Sequence, residues 1–185
     1  MYRGILFFIF LSVIGIKGYS QITKENWMLG GNAGFSVVSE RGSPLDANAT
    51  NFRISPNIGY FFIDKLAIGI NADYAYFNLA TQGYTQISNQ VSGGPFVRYY
   101  FLRPEKLLNV FAQGSYQYVY YWSNNQTNGN RNSFNLTGGA SVFLNTSVGL
   151  EFIASYQLLN APEVHSSAQL SLGIGFQIYI GKEKN

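Results

Sequence analysis

The chain has 185 residues, of which 46% are hydrophobic, 17% aromatic and only 11% charged, with a formal net charge of +3. A charged fraction of about 25% is usual for a soluble domain, and the aromatic content is too high for a disordered chain. The absence of cysteine excludes a disulfide framework and thiolate metal ligands, and the small net charge gives no footprint for nucleic acid.

The first residues have the pattern of an export signal. One positive charge precedes an almost unbroken apolar run from Ile5 to Ile16, and small residues follow at Gly18 and Ser20. The run is too short for a membrane-spanning helix, which needs about 20 apolar residues. The sequence therefore predicts a cleaved signal peptide over residues 1–20 and one mature domain over residues 21–185.

The hydrophobic pattern of the mature chain has the two-residue period of β-strands. It predicts strands, in chain order, at Asn26–Val38, Asn51–Phe62, Leu66–Phe77, Gln90–Phe101, Leu107–Tyr121, Ser133–Leu144, Ser147–Gln157 and Ser167–Ile180. The last segment is much longer than a usual strand of about 5–6 residues, and its even positions are all apolar. Pro56 and Pro95 stand inside two of the runs and predict a bulge or a local break in pairing.

The connections alternate between long polar segments and tight turns. The long ones are Ser39–Thr50, Asn78–Asn89, Trp122–Asn132 and Leu158–Ser166, and the short ones are Ile63–Lys65, Leu102–Lys106 and Asn145–Thr146. This connectivity predicts an all-β fold, an eight-stranded antiparallel up-and-down barrel. We expect closure to leave the last strand without an open edge.

The distribution of charge indicates which face of the strands meets lipid. The apolar faces carry no charged residue, whereas the polar or small faces hold Arg53, Asp73, Arg98 and Glu151. A soluble lipocalin-like barrel would instead need many charges on its exterior. The pattern therefore favours a transmembrane barrel with lipid outside and a polar filling. Aromatic residues near the strand ends predict two girdles at the membrane surfaces, formed by Tyr60, Tyr74, Tyr76, Tyr99, Phe101, Tyr116, Tyr118, Trp122 and Tyr156.

The four charged residues of the polar faces predict a network in the lumen. Arg53 and Asp73 lie at similar distances from the turn near Asp64, so we expect them opposite each other. Arg98 and Glu151 are expected to meet across the barrel. Because an unpaired buried charge is costly, the network is interpreted as a neutral polar plug, and the alternative is a selectivity ring or proton path.

Three stretches resemble the small eight-stranded outer-membrane barrels of gram-negative bacteria, the OmpA/OmpX-like family. Ser55–Phe62 with the hairpin partner Leu66–Gly69 is similar to that family's second hairpin, and Gly94–Phe101 is similar to its fourth strand. The final strand matches the family's assembly signal at Ser171, Gly173, Phe176 and Ile178, although the chain continues beyond the strand where family members often end on an aromatic residue.

The resemblance implies a cell outer-membrane location, contact with outer-membrane lipids and lipopolysaccharide, insertion by the barrel-assembly machinery, and a monomeric state. The expected role is structural or surface-interacting, without catalysis, metal or cofactor, and the polar loops could bind an extracellular ligand. The alternatives are a narrow porin-like channel, a lipid-modifying enzyme and a secreted lipocalin-like binder. His165 with Glu163, Ser166 and Ser167 would be the enzyme's candidate residues, but no nucleophile motif accompanies them.

Overall fold

A computed structural model describes residues 22–40, 47–81, 83–124, 128–161 and 164–181. The strands are β1 Trp27–Glu40, β2 Ala47–Ile63, β3 Leu66–Thr81, β4 Tyr84–Tyr100, β5 Leu108–Ser123, β6 Asn128–Phe143, β7 Val148–Ala161 and β8 Val164–Ile180. Each strand pairs antiparallel with the next, and β1 pairs with β8, so the sheet closes on itself. The predicted eight-stranded up-and-down barrel is confirmed.

The predicted signal peptide, residues 1–20, lies outside the described residues. Among the residues that are described, none belongs to a helix long and apolar enough to cross a membrane.

The barrel has two different ends. The three connections at residues 64–65, 101–107 and 144–147 lie at one end, together with the start of β1 and the finish of β8, and we call it the turn end. The opposite end, which we call the loop end, holds the other four connections.

The strands run farther toward the loop end than the sequence predicts. β3 and β4 remain paired up to Thr81 and Tyr84, inside the segment Asn78–Asn89 that was predicted as a long loop. The other three predicted long loops are shortened in the same way by β1, β2 and β5 to β8. The lengths predicted for these loops are therefore wrong. A ladder is held by backbone hydrogen bonds, so polar side chains on both faces do not end it.

Pro56 and Pro95 each interrupt one strand ladder without shifting its register. The β2–β3 ladder passes from Ile54, opposite Tyr74, to Asn57, opposite Asn71, and skips the positions at Pro56. Pro95 leaves a similar gap in the β4–β5 ladder. Proline has no N–H to donate to the ladder, which explains both gaps. The predicted local break is confirmed, and no bulge accompanies it at either site.

The outer face of the barrel is apolar and uncharged. Each strand exposes large apolar side chains there, among them Phe35, Ile54, Ile70, Val97, Tyr118, Leu136, Phe152 and Ile174. The outward positions of the described strands hold no charged residue. Toward the loop end this face becomes polar. In the β2–β3 ladder, for example, the apolar pair Phe52 and Tyr76 is followed on the same face by the polar pair Thr50 and Asn78.

The seam between β1 and β8 is only partly closed. Its ladder runs from Trp27, opposite Ile180, to Ala33, opposite Ile174. Beyond this point the described residues of β1 pair with β2 alone, and those of β8 pair with β7 alone. The expectation that closure leaves β8 without an open edge is therefore wrong for its loop-end half. A ladder requires two backbones at hydrogen-bonding distance, which alternation within one strand does not determine.

Candidate functional site in the barrel interior

The turn-end half of the interior is filled by a compact apolar cluster. Its members are Ile22, Met28, Phe61, Ala67, Phe96, Tyr100, Phe111, Phe143, Ile153 and Tyr179, and all of them are buried. The rings pack closely, with centroids 5.6 Å apart for Tyr100 and Phe111 and 5.4 Å apart for Phe143 and Tyr179. This cluster occupies the part of the lumen nearest the turns.

A buried ion pair lies against this cluster. Arg98 of β4 and Glu151 of β7 meet across the lumen, with Nη1 of Arg98 2.8 Å from Oε1 of Glu151 and both side chains almost fully buried. Arg98 also donates from Nε to Oε1 of Gln113 at 2.8 Å, its neighbour across the β4–β5 ladder. The predicted contact between Arg98 and Glu151 is thus present, in the form of a buried ion pair.

Aromatic residues hold the ion pair in place. The guanidinium carbon of Arg98 lies 4.3 Å from the centre of the Phe111 ring, close enough for a cation–π contact. Nη1 of Arg98 donates to the hydroxyl of Tyr100 at 3.1 Å, and that hydroxyl lies 2.9 Å from the hydroxyl of Tyr179. Charge and hydrogen-bond partners are therefore matched inside an apolar shell, as a buried pair requires.

Asp73 belongs to a second, separate network nearer the loop end. Oδ1 of Asp73 accepts from the hydroxyl of Ser55 at 2.5 Å, and Oδ2 accepts from Nε2 of Gln117 at 2.5 Å. Oε1 of Gln117 in turn accepts from Nδ2 of Asn135 at 2.9 Å. The carboxylate is thus stabilised by neutral donors from two strands, β2 and β5, and the network continues to β6 through Asn135.

Arg53 and Asp73 are not opposite each other, which corrects the sequence-based expectation. The residue across the β2–β3 ladder from Arg53 is Ala75. The ladder is centred on Asp64, and Asp73 lies two residues nearer to this turn than Arg53 does, so the two side chains miss each other by two positions. Within the described part of the chain, Arg53 makes neither a hydrogen bond nor an ion pair.

The loop-end half of the interior contains a polar cavity of about 310 Å³. Arg53 and Asp73 line it, and Arg98 borders it on the side of the apolar cluster. Most other lining residues are Ser, Asn, Gln and Thr side chains of the inner face. The interior therefore has two levels, a filled one at the turn end and a hollow one at the loop end.

The aromatic filling is the feature that sequence reasoning missed. Phe96, Tyr100, Phe111 and Phe143 stand on strand faces that were interpreted as polar or small. Each lies close to a connection at the turn end, so large aromatics on the otherwise polar face near the short turns were the available signal. At this level of the barrel the predicted polar filling is replaced largely by aromatic side chains.

The predicted girdle residues lie on the outer side of the barrel, where some are exposed and others are half-buried. Tyr99 and Phe101 form a ring pair 5.2 Å apart near the turn end, and Tyr120 and Trp122 form one 5.8 Å apart toward the loop end. The remaining predicted girdle positions, Tyr60, Tyr74, Tyr76, Tyr116, Tyr118 and Tyr156, are exposed or half-buried. The membrane role of these rings stays a prediction.

The residues of the predicted assembly signal divide between the two faces of β8. Phe176 and Ile178 point outward and are exposed. Ser171 and Gly173 line the polar cavity. His165, which was predicted in the last loop, lies within the bounds of β8, and its side chain lies outside the described residues.

Comparisons with known proteins support the architecture. No protein-family model matches the chain, and no curated protein matches it. The crystal structure of the outer membrane protein OprG from Pseudomonas aeruginosa is similar, with 12% sequence identity, a TM-score of 0.57, and coverage of 91% of this chain and 100% of that chain. The crystal structure of Neisserial surface protein A (NspA) is also similar, with 16% identity, a TM-score of 0.57, and coverage of 83% and 96%.

At such low identities the likeness concerns the fold. It extends over nearly the whole length of both solved barrels, and it agrees with the closed antiparallel sheet of this chain. The chain therefore has the fold of the small eight-stranded barrels of the outer membrane.

Proposed function

We propose that this chain is an integral protein of the cell outer membrane, with a structural or surface-interaction role and without catalysis. In this proposal residues 1–20 direct export, and the barrel contacts outer-membrane lipids and lipopolysaccharide as a monomer. The polar interior residues Asp73, Arg98 and Glu151 stabilise the barrel, and Arg53 lines the cavity.

The uncharged outer face is the observation that carries the proposal. On β3 the outward apolar positions run from Leu66 to Tyr76, and on β8 from Leu170 to Ile180. At about 3.3 Å per residue and a tilt of about 40°, such a span is about 25 Å tall, which is the height of the apolar band of a membrane barrel. In water, so many exposed apolar side chains on every strand would cause aggregation.

The filled turn end supports a barrel that does not conduct ions. An ion crossing the lumen would have to displace the Arg98–Glu151 pair and the rings of Tyr100 and Tyr179, which hydrogen-bond to each other. An eight-stranded barrel has an interior just wide enough for its own side chains. We therefore propose that these residues plug the lumen, with the cavity ending blindly above them.

Electrical recordings test the plug against the channel alternative. The mature protein, shown to be folded by heat-modifiable migration on a gel, is expected to give no stepwise conductance in planar bilayers. A variant with Tyr100→Ala and Tyr179→Ala removes two buried rings and serves as the matched opened form. Single-channel steps from the unaltered protein would overturn the plug and favour a narrow porin-like function.

The barrel-assembly machinery is the proposed partner during biogenesis, and Phe176 provides a test of it. Phe176 and Phe152 both point outward and are about equally exposed, at 56% and 50%. Because only Phe176 lies in the assembly signal, Phe176→Asn is expected to lower the membrane yield several-fold more than Phe152→Asn. Yields are measured by immunoblot of membrane fractions, and equal yields would contradict a signalling role for Phe176.

The enzyme alternative has less support than the structural role. The sequence shows no nucleophile motif beside its candidate residue His165, whose side chain lies outside the described residues. The surface role would lie in the four connections of the loop end. Unchanged lipid A mass spectra in a deletion strain are expected, and a lost modification would favour the lipid-modifying enzyme.

A further inference from the structure

The open part of the β1–β8 seam leaves two strand edges without a strand partner. Among the described residues these edges are Gly34–Glu40 on β1 and Val164–Gly173 on β8. A backbone N–H or C=O that faces hydrocarbon without a partner is strongly unfavourable. A seam that opens within the apolar band therefore favours water or a polar head group between its edges over hydrocarbon alone.

The polar cavity extends through this seam. On β2 the cavity is lined by alternate residues, such as Asn51, Arg53 and Ser55, as expected for one face of a strand. On β1 it is lined by the consecutive residues Asn32–Ser36, and on β8 by the consecutive residues Ser171–Gly173. Among the described strands, residues of both faces line the cavity on β1 and β8 alone, which places its opening to the outer surface at this seam.

The two sides of the opening differ in chemistry. Inside, Arg53 lies across the β1–β2 ladder from Gly34. Of the two arginines that line the cavity, Arg98 is paired with Glu151, whereas Arg53 has no partner among the described residues. The carboxylate of Asp73 is already hydrogen-bonded by Ser55 and Gln117. Outside, the opening is flanked by apolar side chains, and Leu172 is 84% exposed.

We propose that the seam binds a long-chain carboxylate, the anion of a fatty acid, with its head at Arg53 and its chain directed outward into lipid. The guanidinium matches a carboxylate in charge and in its paired N–H groups. The cavity of about 310 Å³ is at the small end of ligand pockets, which begin at about 300 Å³, so it accommodates the head and leaves the chain outside. The inference rests on the proposed membrane location.

The seam can also close, which makes the opening testable. The next ladder pair beyond Ala33 and Ile174 would join Gly34 and Gly173, and a Cβ at either glycine would meet open space. With further extension, Phe35 and Leu172 would both face outward. The sequence on the two edges is therefore compatible with a continued ladder, and the open seam is not forced by mismatched faces.

The first experiment measures the role of Arg53. The mature protein in phosphatidylcholine nanodiscs is titrated with cis-parinaric acid, a fluorescent 18-carbon carboxylate, and with its uncharged methyl ester. Arg53→Gln is expected to weaken binding of the acid about tenfold or more, because a hydrogen-bonded charge is lost, and to leave the ester unaffected. Arg131→Gln is the matched control, since Arg131 already donates to Gln90 and lies outside the cavity lining.

The second experiment locks the seam. The chain has no cysteine, so Gly34→Cys with Gly173→Cys introduces a single possible disulfide. Ladder neighbours lie about 4.5–5.5 Å apart, within the range that a disulfide spans. Oxidation is expected to abolish binding of the acid and reduction to restore it. Ala33→Cys with Ile174→Cys, at a pair that is already closed, is the control and is expected to bind equally in both states.

Heat-modifiable migration separates the failure of this inference from failure of the barrel itself. If folded Arg53→Gln binds the acid as tightly as the unaltered protein, the proposal is overturned. Undiminished binding by the oxidised Gly34–Gly173 variant would overturn it as well. If that disulfide does not form, the Arg53 measurement alone decides.

Discussion

Replacing Arg98 by methionine is expected to lower the free energy of unfolding by about 3–5 kcal/mol. The change leaves Glu151, which is 0% exposed, without its cation and without the donor at 2.8 Å. The remaining donors to this carboxylate are weaker, at 3.4 Å from Tyr100 and 3.5 Å from Gln177. Guanidinium unfolding in detergent micelles, followed by tryptophan fluorescence, measures the loss.

The double variant Arg98→Met with Glu151→Gln is expected to be more stable than Arg98→Met alone. It removes the stranded charge while keeping a side chain of similar volume, and removal of a whole buried pair is often nearly neutral. Arg131→Met is the control for losing an arginine of the lumen, because its partner at 2.8 Å is the neutral Gln90. Equal losses for Arg98→Met and the double variant would contradict the stabilising role of the pair.

Ile70→Lys is expected to lower the free energy of unfolding in phospholipid vesicles by about 2–4 kcal/mol. Ile70 is 62% exposed and lies opposite Ile58 and Pro95 in its two ladders, in the middle of the apolar band. A lysine there must carry its charge into hydrocarbon or bend toward the headgroups, and both cost free energy.

Asn48→Lys is the matched control for this substitution. Asn48 is exposed on the same outer side of the neighbouring strand, beyond Thr50 where the surface has become polar. A lysine near the interface costs about 0–1 kcal/mol. If the two variants are equally stable in vesicles, the apolar face does not contact lipid, and the soluble lipocalin-like alternative gains support.

The interior could be predicted only in part. The contact between Arg98 and Glu151 followed from counting residues to the turns, because both strands have regular register near them. The same counting was wrong for Arg53 and Asp73, because an antiparallel ladder pairs residues at equal distances from the turn, and Asp73 lies two residues nearer to Asp64 than Arg53 does. An offset of two residues moves side chains past each other along the strands while leaving the alternating pattern unchanged.

The amino-acid sequence by itself determined the strand class, the number of strands and the uncharged outer face of this protein. These follow from a period of two, which is a local property of each segment. Only the tertiary structure decided that Phe61, Phe96 and Phe111 fill the turn end, that a cavity remains above them, and that β1 separates from β8 beyond Ala33. Each of these depends on the register of strands that are distant in sequence, and closure couples all eight registers at once.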